Sequence, residues 1–524
     1  MRAIEEILTR FAESRRPLIE VLDEDGTPAR VLTYREVTRR AADLARRFGR
    51  RSGRPARVGV LCGNTPEFAV ADLALLMARA IEVPVPLAFS AEQAAGLLAD
   101  TDLCVVDAAG GARLREWGRS RVLPPGCTVL PLSVDGPVPS TPLVPPPAGT
   151  TPADRDWECK VIHTSGTTSC PKGVRIRARA LDELLGSLRR VMPSGAFARY
   201  LSVVPFSLLI EQVTALYMVL LDGGTLVLMP PGKALVGTAA GAAADCLPYV
   251  AAARPTALVA TPTLVDALAA AADRAADRAH PVAPALFGTR EAPLICCGGA
   301  PVHPDLLRRL DAHGLPVHEG YGLSENSSVV SWNTPAARRL GTVGRPLPHV
   351  RVRTADDGEL LVRSSSLFAG YTRNDPSSLA LDADGWLHTG DLARIDEDGF
   401  LTITGRKKNV IITAAGRNIA PEWVEAQYAR LPFVRAVAVV GEGLDTLHGL
   451  FLVEEATDIT AAAVAVREFG EAHLSDVERV AVPHFLADPR LYRRYFTVTG
   501  RPMRQAVRTA LVNGTLYDHQ GADA

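Results

Sequence analysis

Apolar runs short enough to be strands alternate with helical stretches through most of this chain, and that alternation narrows the possible folds more than any other feature. Residues 33–48, TYREVTRRAADLARRF, place Val37, Ala41, Leu44, Ala45 and Phe48 on one helical face behind a threonine cap. VGVLCG (58–63) reads as a strand, Asn64 and Pro66 open a helix over 67–79, and VPVPL (83–87) is a short strand. A third unit covers 91–107 and ends in LCVVD, and residues 178–192 read as a helix. Residues 202–229 give a strand, a long apolar helix, a Gly-Gly turn and a strand; residues 257–273 pair a strand with a helix. Strands joined through helices lie largely parallel and are covered on both faces, so the chain is expected to be an α/β protein. The proline-rich stretch 137–152 loses donors and has φ fixed, so it is expected to be an extended connector. Glu211 is expected to be a helix-terminal or partly exposed acid, and the Ala- and Arg-rich run 267–285 a solvated helix and loop.

Chemistry enters at residues 160–174, KVIHTSGTTSCPKGV. Small residues at Thr164, Ser165, Gly166, Thr167 and Thr168 let backbone N–H groups converge on an anion, the hydroxyls add donors, and Lys172 adds a mobile positive charge. A hydroxyl-rich surface linker would share this composition. The P-loop of NTPases does not fit, because no G-K-[ST] follows the glycine at the required distance. The spacing resembles the phosphate loop of the adenylate-forming superfamily, [ST]-[SG]-G-T-[TS]-x-x-P-K-G, found in acyl-CoA synthetases, peptide-synthetase adenylation domains and luciferases.

Further motifs of that superfamily follow in order. In residues 294–325 an apolar strand ends in Gly298, Gly299, Ala300 and Pro301, and a second strand (Pro316 to His318) is expected to end at Gly320, Tyr321 and Gly322. Ligands of open α/β sheets gather at the carboxyl ends of strands, so both turns should face one site. Tyr321, Gly322, Ser324 and Glu325 match Y-G-x-[ST]-E. A flat ring flanked by glycines suits stacking on a purine, and a carboxylate suits a magnesium ion bridging phosphates; the resemblance assigns that ion to Glu325 with Thr167. Residues 341–353 and 358–371 resemble the small barrel-like subdomain of these enzymes. Within 382–411, Thr389, Gly390 and Asp391 match the TGD turn whose aspartate binds ribose hydroxyls, Arg406 the arginine that contacts ribose and phosphate, and Lys408 the hinge. From Asn409 the chain resembles the mobile C-terminal lid, and GRKKNVIITAAGRNIAPEWVE resembles the long-chain acyl-CoA synthetase branch. The resemblance implies an N-terminal domain over 1–407, made of stacked α/β sheets plus the barrel-like subdomain. A mobile α+β domain over 408–524 would follow it.

The activity implied is attack of a carboxylate on the α-phosphate of ATP, followed by transfer of the acyl group to a thiol. Charge grows on the phosphates, so catalysis is chiefly electrostatic. The family's tail motif T-x-[TS]-G-K-x-x-R supplies a lysine for this; here Thr497, Thr499, Gly500, Arg501 and Arg504 put arginine in its place. Only five of the 57 basic residues are lysine, so Arg501 is either drift that keeps the charge or a real change, since arginine is no equivalent of lysine at a tight phosphate. Pro205, Phe206, Ser207, Leu208 and Leu209 lack both the amine-binding aspartate of α-amino-acid domains and the histidine of many acyl-CoA ligases. A fatty or aromatic acid is expected as substrate, with ATP and Mg2+. The expected acceptor is the thiol of coenzyme A or of a separate carrier protein, since no carrier-domain serine motif follows Arg504. Two alternatives stand beside this: ATP activation of nitrite for diazotisation of an aromatic amine, or amide formation; and an ATP-binding paralogue of weak activity.

The 524 residues could hold two to four domains, and 47% apolar content is ample for a large core. A formal charge of −1 gives no electrostatic case for nucleic acid or an acidic membrane. The first residues lack a secretory apolar run, no stretch has the length of a membrane span, and eight cysteines show no metal-ligand spacing. They read as reduced thiols of a cytoplasmic protein.

Overall fold

The computed structural model describes residues 1–48, 53–140, 156–164, 172–238, 242–300, 302, 304–373, 381–412, 418–442, 444, 446–496 and 502–517. Two large sheets carry most of the chain. One has six strands in the spatial order Thr128–Pro131, Leu103–Val106, Arg57–Leu61, Ile81–Pro84, Glu158–Thr164, Lys172–Arg177. The strands pair in parallel until the last two, which form an antiparallel hairpin. The other has nine strands. Its six central members, Val317–Leu323, Leu294–Cys297, Ala257–Ala260, Arg199–Ser202, Thr225–Leu228 and Pro17–Leu22, run parallel. Antiparallel strands flank them.

The helices between these strands form where the apolar spacing places them. Tyr34–Ala45 begins at Thr33, whose hydroxyl accepts from the Glu36 N–H while the Glu36 carboxylate accepts from the Thr33 N–H, a reciprocal cap. Pro66–Ala78 is apolar nearly all round and lies buried, as a helix without a polar face must. Leu209–Leu221 is buried at every position but Ile210 and widens to i→i+5 pairing over Gln212–Met218.

A third sheet of four antiparallel strands, Val350–Thr354, Glu359–Ser364, Leu387–Ile395 and Leu401–Arg406, occupies the region expected to be barrel-like; its strand order is linear, so it is an open sheet. Beyond it, Val434–Val440, His448–Val453 and Val482–Leu486 form a three-stranded sheet with the helices Pro421–Tyr428, Ile459–His473 and Arg504–Val512. The apolar interior follows this division. One cluster runs from Met1 to Leu401 through both large sheets, and separate clusters lie within residues 411–516. Among the described residues no helix is long and apolar enough to cross a membrane.

Three further expectations are corrected. The strand expected over Pro316 to His318 runs on through Tyr321 to Leu323, because its distal half gains an antiparallel partner, Ser328–Trp332. The run 267–285 is not simply solvated: Leu268, Ala269, Ala272 and Ala275 form a buried stripe of the helix Pro262–Asp277. Glu211 is wholly buried, for reasons given below. Of the connector 137–152, residues 137–140 carry no regular structure and the rest lies outside the described residues.

One polar cluster ties the two large sheets together. Lys160, from the strand Glu158–Thr164, is fully buried and donates to Asp72 of the helix Pro66–Ala78 and to Glu82 of the strand Ile81–Pro84. From the widened helix, the Tyr217 hydroxyl donates to Asp72 (2.7 Å) and the Gln212 amide to Glu82 (3.0 Å). Burial pushes Glu82 up against the pull of the Lys160 ammonium. Burial alone would lower Lys160, but Asp72 and Glu82 outweigh it and hold the ammonium above its usual range. A buried pair of this kind is costly to break from one side. Lys160→Met is therefore expected to lower the stability of the full chain by about 3–5 kcal/mol in urea unfolding, with a smaller loss if Asp72 and Glu82 are neutralised as well.

Candidate active site

The parallel strands of the nine-stranded sheet send Ser202, Ala260, Cys297 and Glu319 to one carboxyl edge. At that edge the strand Val317–Leu323 changes partners, from Leu294–Cys297 on the parallel side to Ser328–Trp332 on the antiparallel side. The glycines beside Tyr321 serve this crossing. A Cβ on Gly320 would lie 3.2 Å from Ser331 O, and one on Gly322 only 1.7 Å from Ser328 O. The space they leave is filled by the protein's own backbone, rather than being kept open for a ligand.

Tyr321 is thereby held with its hydroxyl donating to Asp391 Oδ2 at 2.6 Å. Arg406 Nε pairs with Asp391 Oδ1, also at 2.6 Å, and the two residues face each other in register across the strands Leu387–Ile395 and Leu401–Arg406. Asp391 is 3% exposed. Burial raises its carboxyl, Arg406 and then Tyr321 pull it back, and Glu422 and Glu325 stand near enough to push it up further. The TGD turn is fixed by Thr389, whose hydroxyl donates to Leu360 O (2.7 Å), and by Gly390, whose N–H donates to Glu359 Oε1 (2.8 Å).

Ser324 opens the short turn Ser324–Asn326 that presents Glu325. The Glu325 carboxylate is buried but for 8% and accepts from the Tyr371 hydroxyl through Oε1 at 2.7 Å. Lys408 lies in the turn Lys407–Asn409. Burial lowers its ammonium, and Arg406 and Lys172 lower it further, so three cations share this region with the acids Asp391, Glu325 and Glu422. Thr164 and Lys172 face each other in register at the ends of the phosphate loop. Gly298, Gly299 and Ala300 leave the carboxyl end of Leu294–Cys297, Gly299 with φ +85°, a conformation that favours glycine. The structure thus brings together Lys172, Tyr321, Glu325, Asp391, Arg406 and Lys408. Ser165, Gly166, Thr167, Thr168, Pro301 and Arg501 lie outside the described residues. Arg504, three residues beyond Arg501, pairs with Glu425 (2.5 Å) and Glu422 (3.1 Å).

Sequence reading missed Tyr371 and Glu422 and misjudged Glu211. The hydroxyls of Ser202 (2.6 Å) and Tyr200 (2.8 Å) donate to the two oxygens of Glu211. Asn64 ties Ser202 to the segment after it, donating to Ser202 Oγ (2.8 Å) and Val204 O (2.7 Å) and accepting from Phe206 N–H (2.9 Å). A buried acid therefore frames the 203–208 segment at the sheet's carboxyl edge. Burial pushes Glu211 up to about 8, with Ser202, Tyr200 and the Val204 N–H pulling the other way.

A parallel sheet whose carboxyl edge meets an aspartate, a ring, an acid and three cations places the chain among α/β enzymes with a site suited to a charged ligand. The chain belongs to the AMP-binding enzyme family, whose model matches residues 10–372. It is an ATP-dependent, AMP-forming ligase. It is 30% identical over 451 residues to a long-chain-fatty-acid–CoA ligase of Mycobacterium bovis, covering 76% of this chain and 73% of the relative. It is 29% identical over 435 residues to a feruloyl-CoA synthase of Amycolatopsis sp, covering 78% and 80%. The fold matches an anthranilate CoA ligase in complex with anthranoyl-AMP, with a TM-score of 0.77, 20% identity and coverage of 98% and 97%. These relatives favour the acid–thiol reading over the nitrite, amide and weak-paralogue alternatives.

Because the native state keeps the Glu211 proton up to about pH 8 while an unfolded glutamate loses it near 4.5, stability drains as pH rises through that window. Glu211→Gln has no proton to lose. Relative to the parent, it is expected to gain about 1.4 kcal/mol per pH unit across the middle of the window, tapering as pH nears 8, in paired urea titrations.

Proposed function

We propose that the protein converts a fatty or aromatic carboxylic acid and ATP to an acyl-adenylate and pyrophosphate, then passes the acyl group to the thiol of coenzyme A. The observation that carries this reading is the convergence of Tyr321, Asp391 and Arg406 in one hydrogen-bonded group with Glu325 beside it. A carboxylate is a poor electrophile because its leaving group would be oxide; attack on the α-phosphate makes that oxygen part of AMP, a stable leaving group.

In this reading Asp391 accepts from the ribose hydroxyls. Each of its oxygens is already bonded once, and a carboxylate oxygen can accept a second time. Tyr321 stacks on the base. Arg406, Lys172 and the loop of Thr164 to Thr168 meet the phosphates, joined by Arg501 as the departing charge grows. Gly298, Gly299, Ala300 and Pro301 border the base.

Glu325 fits a magnesium ion: among the described residues its Oε2 accepts no hydrogen bond, and no group of three His, Cys, Asp or Glu side chains that could hold a metal stands there or anywhere else among them. Glu325 and Thr167 would hold such an ion, which suits a cation bound by few protein oxygens. Bound there, the ion would neutralise phosphate charge.

Residues 408–524 act as the lid and turn about Lys408 between the two half-reactions. Their separate apolar clusters support motion as a unit. The substrate end lies along 203–209, where Phe206 stacks on Phe68 at 5.0 Å and Leu208 is 48% exposed. No charge on that segment would hold an α-amino group, which supports an apolar acid. Similarity to coenzyme A ligases supports coenzyme A as acceptor over a carrier protein.

The test is ATP–pyrophosphate exchange over a panel of fatty, aryl and amino acids. Exchange with fatty or aryl acids alone, and AMP release that needs coenzyme A for turnover, is expected; exchange with none of them sinks the proposal. Asp391→Asn is expected to raise the KM for ATP about tenfold or more, the loss of a charged hydrogen bond, with little change in the KM for the acid.

A further inference from the structure

Tyr371 is fixed by more contacts than a surface tyrosine needs. It lies in a short irregular segment, residues 368–372, that runs between the two halves of the site. At one end the Phe368 N–H donates to Glu325 O at 2.9 Å, and the Phe368 ring meets Tyr371 edge-on at 4.9 Å and 73°. At the other end the segment pairs with the strand that leaves the phosphate loop. Ala369 N–H donates to Arg175 O (2.8 Å), Arg175 N–H to Gly370 O (3.0 Å), and Thr372 N–H to Gly173 O (2.9 Å), with Tyr371 opposite Val174. Gly173 must be glycine for this to close, since a Cβ there would lie 2.7 Å from the Thr372 hydroxyl. Gly370 takes φ +112°, which turns the chain so that the next side chain reaches back to Glu325.

We propose that Tyr371 is a positioning residue for the divalent cation that accompanies ATP. By donating to Glu325 Oε1 it fixes the carboxylate plane and leaves Oε2 for the metal. This rests on the reading of Glu325 as the magnesium acid. A carboxylate on a three-bond stem must lose rotamer freedom to bind a metal, and a hydrogen bond made beforehand removes that cost from the binding step. Partners of this kind are worth about 10- to 100-fold in metal affinity. Because the same segment is hydrogen-bonded to Gly173, next to Lys172, Glu325 keeps a constant place relative to the strand that carries the phosphate-loop lysine. The ring packing against Phe368 is independent of the hydroxyl, so Tyr371→Phe removes the donor and keeps the edge-on contact.

The experiment uses the full chain and measures ATP binding by titration calorimetry, once with Mg2+ and once in EDTA. Tyr371→Phe is expected to weaken binding about tenfold with Mg2+ and to leave binding in EDTA unchanged, while raising the Mg2+ concentration needed for half-saturation. In a Glu325→Gln background the same substitution is expected to have no effect. An equal loss with and without Mg2+, or no loss at all, overturns the proposal. If the parent binds ATP no better with Mg2+ than in EDTA and Glu325→Gln changes nothing, the reading of Glu325 fails instead. Should Tyr371→Phe not fold, Phe368→Leu, which loosens the ring but keeps the hydroxyl, is expected to give a smaller loss seen only with Mg2+; a loss in EDTA as well overturns the proposal.

Discussion

Asp391 sits where three parts of the protein meet, and the arrangement of the proposed nucleotide end follows from how its charge is satisfied. A buried carboxylate has to be paired or hydrogen-bonded. Tyr321 comes from the nine-stranded sheet and Arg406 from the small antiparallel sheet just before the turn at Lys408. Holding one anion between them fixes the small sheet against the large one. It also places the start of the C-terminal residues: Gly405, beside Arg406, lies so close to Ala420 that an added Cβ would come within 3.0 Å of the alanine Cβ and 3.2 Å of Glu422 Oε2.

Deeper in the molecule the same problem is solved by clustering. The helix Leu209–Leu221 carries Glu211 and Gln212 into apolar surroundings, and each is met by partners from a different element. Burial of so many polar groups gains little stability in itself, because desolvation offsets most of the attraction. It does fix register. Lys160 can reach Asp72 and Glu82 together only when the helix Pro66–Ala78 and two strands of the six-stranded sheet stand at one set of offsets. The widened turns of the helix bring Tyr217 and Gln212 to the same cluster, so the two sheets are locked at a defined height.

Element types were legible because periodicity is local: the helix at 34–45, its threonine cap and the parallel strands all follow from spacing within a dozen or so residues. Motif spacing likewise pointed to Tyr321, Glu325, Asp391 and Arg406, which the fold assembles. What escaped were polar pairings between distant positions. Glu211 does lie at a helix end, but it also looked partly exposed because its partner Tyr200, on the preceding strand, carries no sign of facing it. Lys160 and Asp72 are 88 positions apart, and Tyr371 and Glu325 are 46 apart. Nothing in a period of two or 3.6 encodes such a meeting. The glycines around Tyr321 were expected to admit a purine, but the neighbour they admit is the strand Ser328–Trp332.

The scarcity of lysine has a consequence for a protein that makes an acyl-adenylate. That product is a mixed anhydride and acylates free amines, whereas a guanidinium keeps its proton and stays inert. Of the five lysines, Lys160 is sealed in the interior, Lys233 and Lys407 are engaged with acids, and Lys172 and Lys408 lie together beside Asp391 and Glu422 in the proposed site. An escaping intermediate would find an exterior whose positive charge is almost all arginine, and so almost no nucleophile on the enzyme that released it.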